Sequence, residues 1–136
     1  MEIELTKPIT WVGTSKKDLQ KFPEDVKQIM GYAIYLAQKG DKHQDAKPLK
    51  GFGGTKTLEV VESYKGDTYR AVYSIKFEGI VYVIHCFQKK SKKGIATPKP
   101  DIDLIRQRLK DAEYLYENSK RSNDIPLTPR STVNFV

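Results

Sequence analysis

The chain has 136 residues, a net charge of +7 and one cysteine. That length supports a single domain with one modest core, and one cysteine excludes any intrachain disulfide. The basic balance favours a polyanionic partner such as nucleic acid, but charge alone speaks to association, and a merely soluble basic protein fits it as well.

Two histidines beside the one cysteine are too few for a usual structural zinc site, so neither a metal nor a cofactor is expected. The opening MEIELTKPITW carries no apolar signal-peptide core, and no apolar run is long enough to span a bilayer, so no membrane partner is expected. A lone cysteine, Cys86, inside an apolar run reads as a buried inert thiol in a reducing cytoplasm.

Residues 1–7 alternate weakly and read as a fraying end or a strand edge. Ile9 to Val12 (ITWV) is a short β candidate holding the only tryptophan, and Gly13-Thr14-Ser15 breaks it. Thr14 or Ser15 can cap a short helix over 15–22, with Asp18 in its first turn and Leu19 and Phe22 buried. Pro23 restarts the chain as a second helix over 23–39. Val26, Ile29, Met30, Ala33, Ile34 and Ala37 recur there at helical spacing, and Gly40 is a natural stop.

Residues 41–56 (DKHQDAKPLKGFGGTK) read as a loop, because its glycines and Pro48 oppose helix and strand interiors alike. His43 has no evident partner there and is not a candidate base. Thr57 to Ser63 is a strand, and 64–67 turns the chain. In the next strand Tyr69, Ala71, Tyr73, Ile75 and Phe77 form one apolar face, and Arg70, Val72, Ser74 and Lys76 the other. Ile80 to Phe87 is apolar on both faces, as a well-covered strand should be. His85 within it reads as a buried, neutral, hydrogen-bonded histidine. Lysines follow at 89, 90, 92 and 93. Pro98 and Pro100 interrupt, a helix runs over 101–118, and residues 119–136 read as a flexible or partner-ordered tail after a single domain over 1–118.

The order β, α, α, β, β, β, α predicts an α+β fold, a small antiparallel sheet with the helical hairpin packed on one face. The helices should cover the face of Tyr69, leaving Arg70 on the opposite, open face. The lysines after Phe87 would line its rim, and the basic loop with Lys47, Lys50 and Lys56 feeds the adjacent strand and can reach the same rim. Lysine and arginine together suit phosphate, the one as a mobile point charge and the other as a bidentate fork. RNA cleavage can use the substrate's own 2′-hydroxyl, so fixed cations that align it and stabilise phosphorane charge serve the chemistry directly. No general acid or base is evident, although crowding could lower one lysine's pKa. Equally, Arg70 could pair with Glu59 across the strands and the lysines could be a solubilising rim.

FPEDVKQIMGYAIYLAQKG on the hairpin, KPLKGFGG before the sheet, TLEVVES, YRAVYSI, and VYVIHCFQKKSKK before a prolyl break and final helix stand in an order that resembles the RelE/ParE toxin superfamily. Within it, the resemblance is to the phage-derived Gp49-like or HigB-type branch, over roughly residues 9–116. It implies a RelE-like domain and a ribosome-dependent mRNA endoribonuclease of a type II toxin–antitoxin pair. Its expected partners are mRNA, the ribosome and a cognate antitoxin, often a helix-turn-helix DNA-binding protein. Carried over by motif, Arg70 would contact the scissile phosphate, and Lys89 and Lys90 would stabilise charge or help the leaving group. Lys47, Lys50, Lys56, Lys92 and Lys93 would contact RNA. Some relatives carry a glutamate base where this chain has Lys47, and some a terminal His-Tyr where it has lysines. The alternatives are a basic nucleic-acid- or protein-binding module without chemistry, and a gyrase-poisoning toxin.

Overall fold

The computed structural model describes residues 6–89 and 97–122. In chain order they form β1 (Ile9–Trp11), α1 (Ser15–Gln20), α2 (Glu24–Gln38), β2 (Ala46–Pro48), β3 (Thr57–Tyr64), β4 (Asp67–Ser74), β5 (Val81–Lys89) and α3 (Lys99–Ser122). The five strands make one sheet in the order β1-β5-β4-β3-β2, and the fold is the expected α+β. β2 to β5 pair antiparallel, whereas β1 pairs parallel with β5, Ile9 opposite Val81.

Local chemistry sets these elements. Lys65 and Gly66 both have positive φ (50° and 88°) between the paired Tyr64 and Asp67, the two-residue turn whose twist suits an antiparallel hairpin. α2 begins after Pro23 with Glu24 and Asp25 in its first turn, where the helix dipole favours acids. It ends in a Schellman motif: Gly40, at φ 87°, donates to the Ala37 carbonyl, and Asp41 donates to that of Leu36. Thr14, expected to cap α1, makes no cap bond; its hydroxyl instead donates to Asp18 Oδ2 at 2.7 Å.

The first face of the sheet packs on the hairpin. Val26, Met30, Ala33 and Ile34 of α2 meet Val60, Ala71, Tyr73, Val83 and Cys86, all nearly without exposure. Here strand and helix periodicities agree with the sequence pattern. The second face is not open. α3 lies across it, and Ile105 and Ala112 close a core with Val72, Phe77, Tyr82, Ile84, Val12 and Leu49. The stripe Ile105, Leu109, Ala112, Leu115 and Tyr116 was legible, but not the surface that receives it.

The elements differ from the sequence pattern at several points, and α1 and α2 are each slightly shorter than expected. α3 starts at Lys99 and runs to Ser122 rather than 101–118. The loop over 41–56 contains β2, whose Ala46 and Pro48 pair with Val60 and Leu58. In β5 the register slips between Val72 and Tyr73, which face His85 and Val83, so Ile84 is a bulge residue. The tail over 123–136 and the start over 1–5 lie outside the described residues.

Because Ile105 is fully enclosed, Ile105→Ala should lower the unfolding free energy by about 2–5 kcal/mol. Leu104→Ala, one position away and 36% exposed, should change it by less than about 0.5 kcal/mol. Urea unfolding midpoints of the two variants check this.

Candidate functional site

β4 carries Arg70 to the second face, as alternation requires. There it is buried, 5% exposed, rather than open to solvent as expected. Glu59 of β3 supplies a carboxylate whose Oε1 lies 3.2 Å from Arg70 Nη1. Glu59 is itself 9% exposed. The cross-strand pair, one of the alternatives open in the sequence, therefore exists.

Around this pair the register assembles part of the basic set. Lys47 on β2 stands directly opposite Glu59. Lys89 on β5 is opposite Thr68, and Phe87 is opposite Arg70, so Lys89 occupies the diagonal position from Arg70, roughly 7–8 Å away along the same face. Lys47 is exposed and Lys89 half-buried.

Lys50 and Lys56 do not join them. Lys56 precedes β3, and its carbonyl accepts from Ile75 at the far end of β4, whereas Lys89 pairs with Thr68. At about 3.4 Å per residue the two ends are roughly 20 Å apart. Lys50 is exposed beside that same far end, where Leu49 donates to the Thr57 carbonyl. Lys56 instead lines a groove against α3 with Phe52, Lys76, Phe77, Lys110 and Glu113. The shared rim expected from the sequence is thus two separate basic patches. Lys90, Lys92 and Lys93 lie outside the described residues.

The bulge at Ile84 turns both Ile84 and His85 toward α3. His85 is buried as expected, but its partners come from a helix that the sequence did not place. Its Nε2 is 2.8 Å from Asp101 Oδ1, and its Nδ1 is 3.3 Å from Arg108 Nη1. A guanidinium only donates, so Nδ1 accepts and Nε2 carries the proton toward Asp101. Arg108 also donates to the Ile84 carbonyl at 3.1 Å and to Thr14 Oγ1 at 3.2 Å. His85 stacks on Phe87, with ring centroids 4.6 Å apart. A Cβ on Gly13 would lie 2.7 Å from the Arg108 guanidinium, so the bare glycine leaves the arginine its seat.

Burial is the largest influence on His85 and, aided by the Arg108 charge, holds its pKa below the usual histidine range against the pull of Asp101. Burial also pushes the Cys86 thiol up to about 12, so it is the inert group expected. On the first face, burial and the neighbouring Asp45 carboxyl raise Glu62 to about 7. His43, read as partnerless, accepts the Asp45 backbone N–H on Nδ1 at 3.0 Å and packs edge-on against Tyr32.

Asp101 and Arg108 were missed. Glu59 was within reach, because it alternates in phase with the face that carries Arg70 once β3 and β4 are paired. Arg108 reads as wet helix surface unless the bulge is known. Among the described residues no group of histidine, cysteine and acidic side chains could hold a metal ion.

Two outcomes follow. Removing one member of a buried pair strands the other charge, so Arg70→Ala should cost about 3–5 kcal/mol, and Arg70→Met with Glu59→Leu should restore most of it in chemical denaturation. In the unfolded chain a histidine titrates near 6.5, above the folded value of His85, so between the two the unfolded state binds more protons. The stability that His85 contributes is therefore intact above pH 6.5 and is lost as pH falls through the folded value. Unfolding midpoints from pH 7.5 to 5 should fall more for the native chain than for His85→Gln.

No curated protein matches the chain in sequence. A similar solved structure is the toxin–antitoxin complex RelBE2 of Mycobacterium tuberculosis, at 17% identity and a TM-score of 0.43, over 67% of this chain and 100% of that one. Residues 17–110 match the family model described as phage-derived protein Gp49-like, a span that takes in the hairpin, the basic loop, Glu59, Arg70, His85, Lys89 and Arg108. That span is more than half of the sequence, and the chain belongs to the Gp49-like family of phage-derived proteins.

Proposed function

We propose that the chain is the toxin of a toxin–antitoxin pair and that it cleaves mRNA on the ribosome, in the cytoplasm. The observation that carries this is the set Arg70, Lys47 and Lys89 on one face of the sheet, in a chain of the Gp49-like family. The sequence resemblance assigns Arg70 to the scissile phosphate and Lys89, with Lys90, to charge stabilisation. The register supports that assignment, because Lys89 stands diagonal to Arg70. Three fixed cations can hold a phosphodiester and stabilise the charge that grows on it as the 2′-oxygen attacks.

A small antitoxin would neutralise such a toxin by covering the same cations. The net charge of +7 favours an acidic covering segment. Lys50 and Lys56, in the separate groove against α3, would then serve in holding ribosomal or messenger RNA and not in the chemistry. One observation favours a second reading. Arg70 is only 5% exposed and already carries a carboxylate partner, which suits a basic binding module with no chemistry.

Primer extension on mRNA from a translating extract separates the readings. Arg70→Lys keeps the charge but loses the planar fork, and should reduce cleavage about 10²–10³-fold, the usual effect of losing one transition-state donor. Lys89→Ala should reduce it less. Unchanged cleavage in Arg70→Lys, with the fold verified by thermal melting, would remove Arg70 from the site. Ribosome binding without cut mRNA would favour the binding module, and broken DNA with intact mRNA would favour a gyrase poison.

A further inference from the structure

The site as built has cations but no assigned proton acceptor, and the position of Glu59 supplies one. Glu59 is in mid-strand on β3, where a glutamate has poor intrinsic preference, and it is 9% exposed. It touches Arg70 at 3.2 Å, and Lys47 faces it from β2. Buried ion pairs of this kind are weak contributors to stability, since well-packed apolar residues of similar volume serve equally or better. Val61, two residues on and on the same face, shows that this side of β3 takes an apolar residue. Packing alone does not account for a carboxylate at this position.

The other candidates on this face are engaged. Both ring nitrogens of His85 are held, one by Asp101 and one by Arg108, and Asp101 is in turn held by His85. Glu62 is adjacent to the Arg70 partner Val61 and so points to the first face, where it meets Asp45. Among the described residues Glu59 is the acid bonded to Arg70.

We propose that Glu59 is the general base for RNA cleavage, an inference that rests on the mRNA-cleaving reading. With the scissile phosphate on the guanidinium of Arg70, the ribose 2′-oxygen next to that phosphorus comes within reach of the carboxylate sharing the same guanidinium, directly or through one water. Glu59 takes the 2′-hydroxyl proton. The O2′–P bond forms and the P–O5′ bond breaks. The electron pair leaves on O5′, which takes a proton from solvent, and Glu59 returns its own proton to solvent. The products are a 2′,3′-cyclic phosphate and a 5′-hydroxyl. Arg70, bonded to Glu59 at 3.2 Å, and Lys47, opposite it on β2, are the charged groups that face the carboxylate.

The test is single-turnover cleavage of mRNA in purified programmed ribosomes, with the full chain. Glu59→Gln keeps an oxygen acceptor for Arg70 but cannot take a proton. Its rate should fall about 10²–10⁴-fold, the usual span for a general base, while ribosome binding is unchanged. Glu59→Asp, which keeps a carboxylate, should recover part of the rate. If Glu59→Gln cleaves within about threefold of the native chain, or Glu59→Asp is no faster than Glu59→Gln, the inference fails. It fails alone when Arg70→Lys still abolishes cleavage. A native chain that cuts no mRNA overturns the mRNA-cleaving reading itself. Thermal melts of each variant identify a loss of fold, and if Glu59→Gln does not fold, Glu59→Asp decides.

Discussion

One extra residue in β5 governs the second face of the sheet. A regular strand would send Ile84 and His85 to opposite sides. The bulge sends both toward α3, so Ile84 joins Ile105 in an apolar core and His85 meets Asp101 and Arg108. Without it, either the isoleucine would leave the α3 core or the imidazole would enter the hairpin core with no partner. The bulge also frees the Ile84 carbonyl for Arg108, whose remaining donor reaches Thr14 on the chain between β1 and α1. A single guanidinium therefore links α3, β5 and the first turn, and Gly13 is the residue that leaves room for it.

That second face contains two polar arrangements of different kinds. The histidine network joins elements distant in sequence, and each of its bonds spans two of them, so it fixes where α3 sits. The Arg70–Glu59 pair joins adjacent strands already tied by a full antiparallel ladder, so it adds little that the ladder lacks. A buried charge pair that is redundant for architecture is where a chemical role carries most weight.

The first layer was readable from residues because its signals are local. Alternation from Tyr69 to Ile75 and the stripe from Val26 to Ala37 each name one face, and the two faces meet. Phe77, expected on the same face, lies past the end of β4 and packs instead against Tyr82 and Tyr116 on the other. The second layer was not. Residues 80–87 are apolar throughout, so a strand read two by two gives no sign of where the bulge falls. Arg108 lies among Arg106, Lys110 and Asp111 on a helix that looks wet on that side. The candidate site divided in the same way. Alternation alone put Arg70 on its face, and the Glu59 pairing stood among the open readings. Of the expected basic rim, Lys47 shares the face of Lys89, but Lys50 and Lys56 attach to the opposite end of β3.

The parallel pairing of β1 with β5 has a consequence for how the chain comes together. Ile9 finds its partner at Val81, and Thr14 finds Arg108, so the first strand closes against almost the last part of the domain. The hairpin of β3 and β4 is local and can form early, but these two closures span most of the polypeptide, and long loops close slowly. On a chain leaving the ribosome, the first strand waits for β5, and the bond from Arg108 to Thr14 waits for α3. The face that holds Arg70 and Glu59 is therefore completed only once α3 has been made, and a nascent chain that stops before α3 cannot present it in finished form.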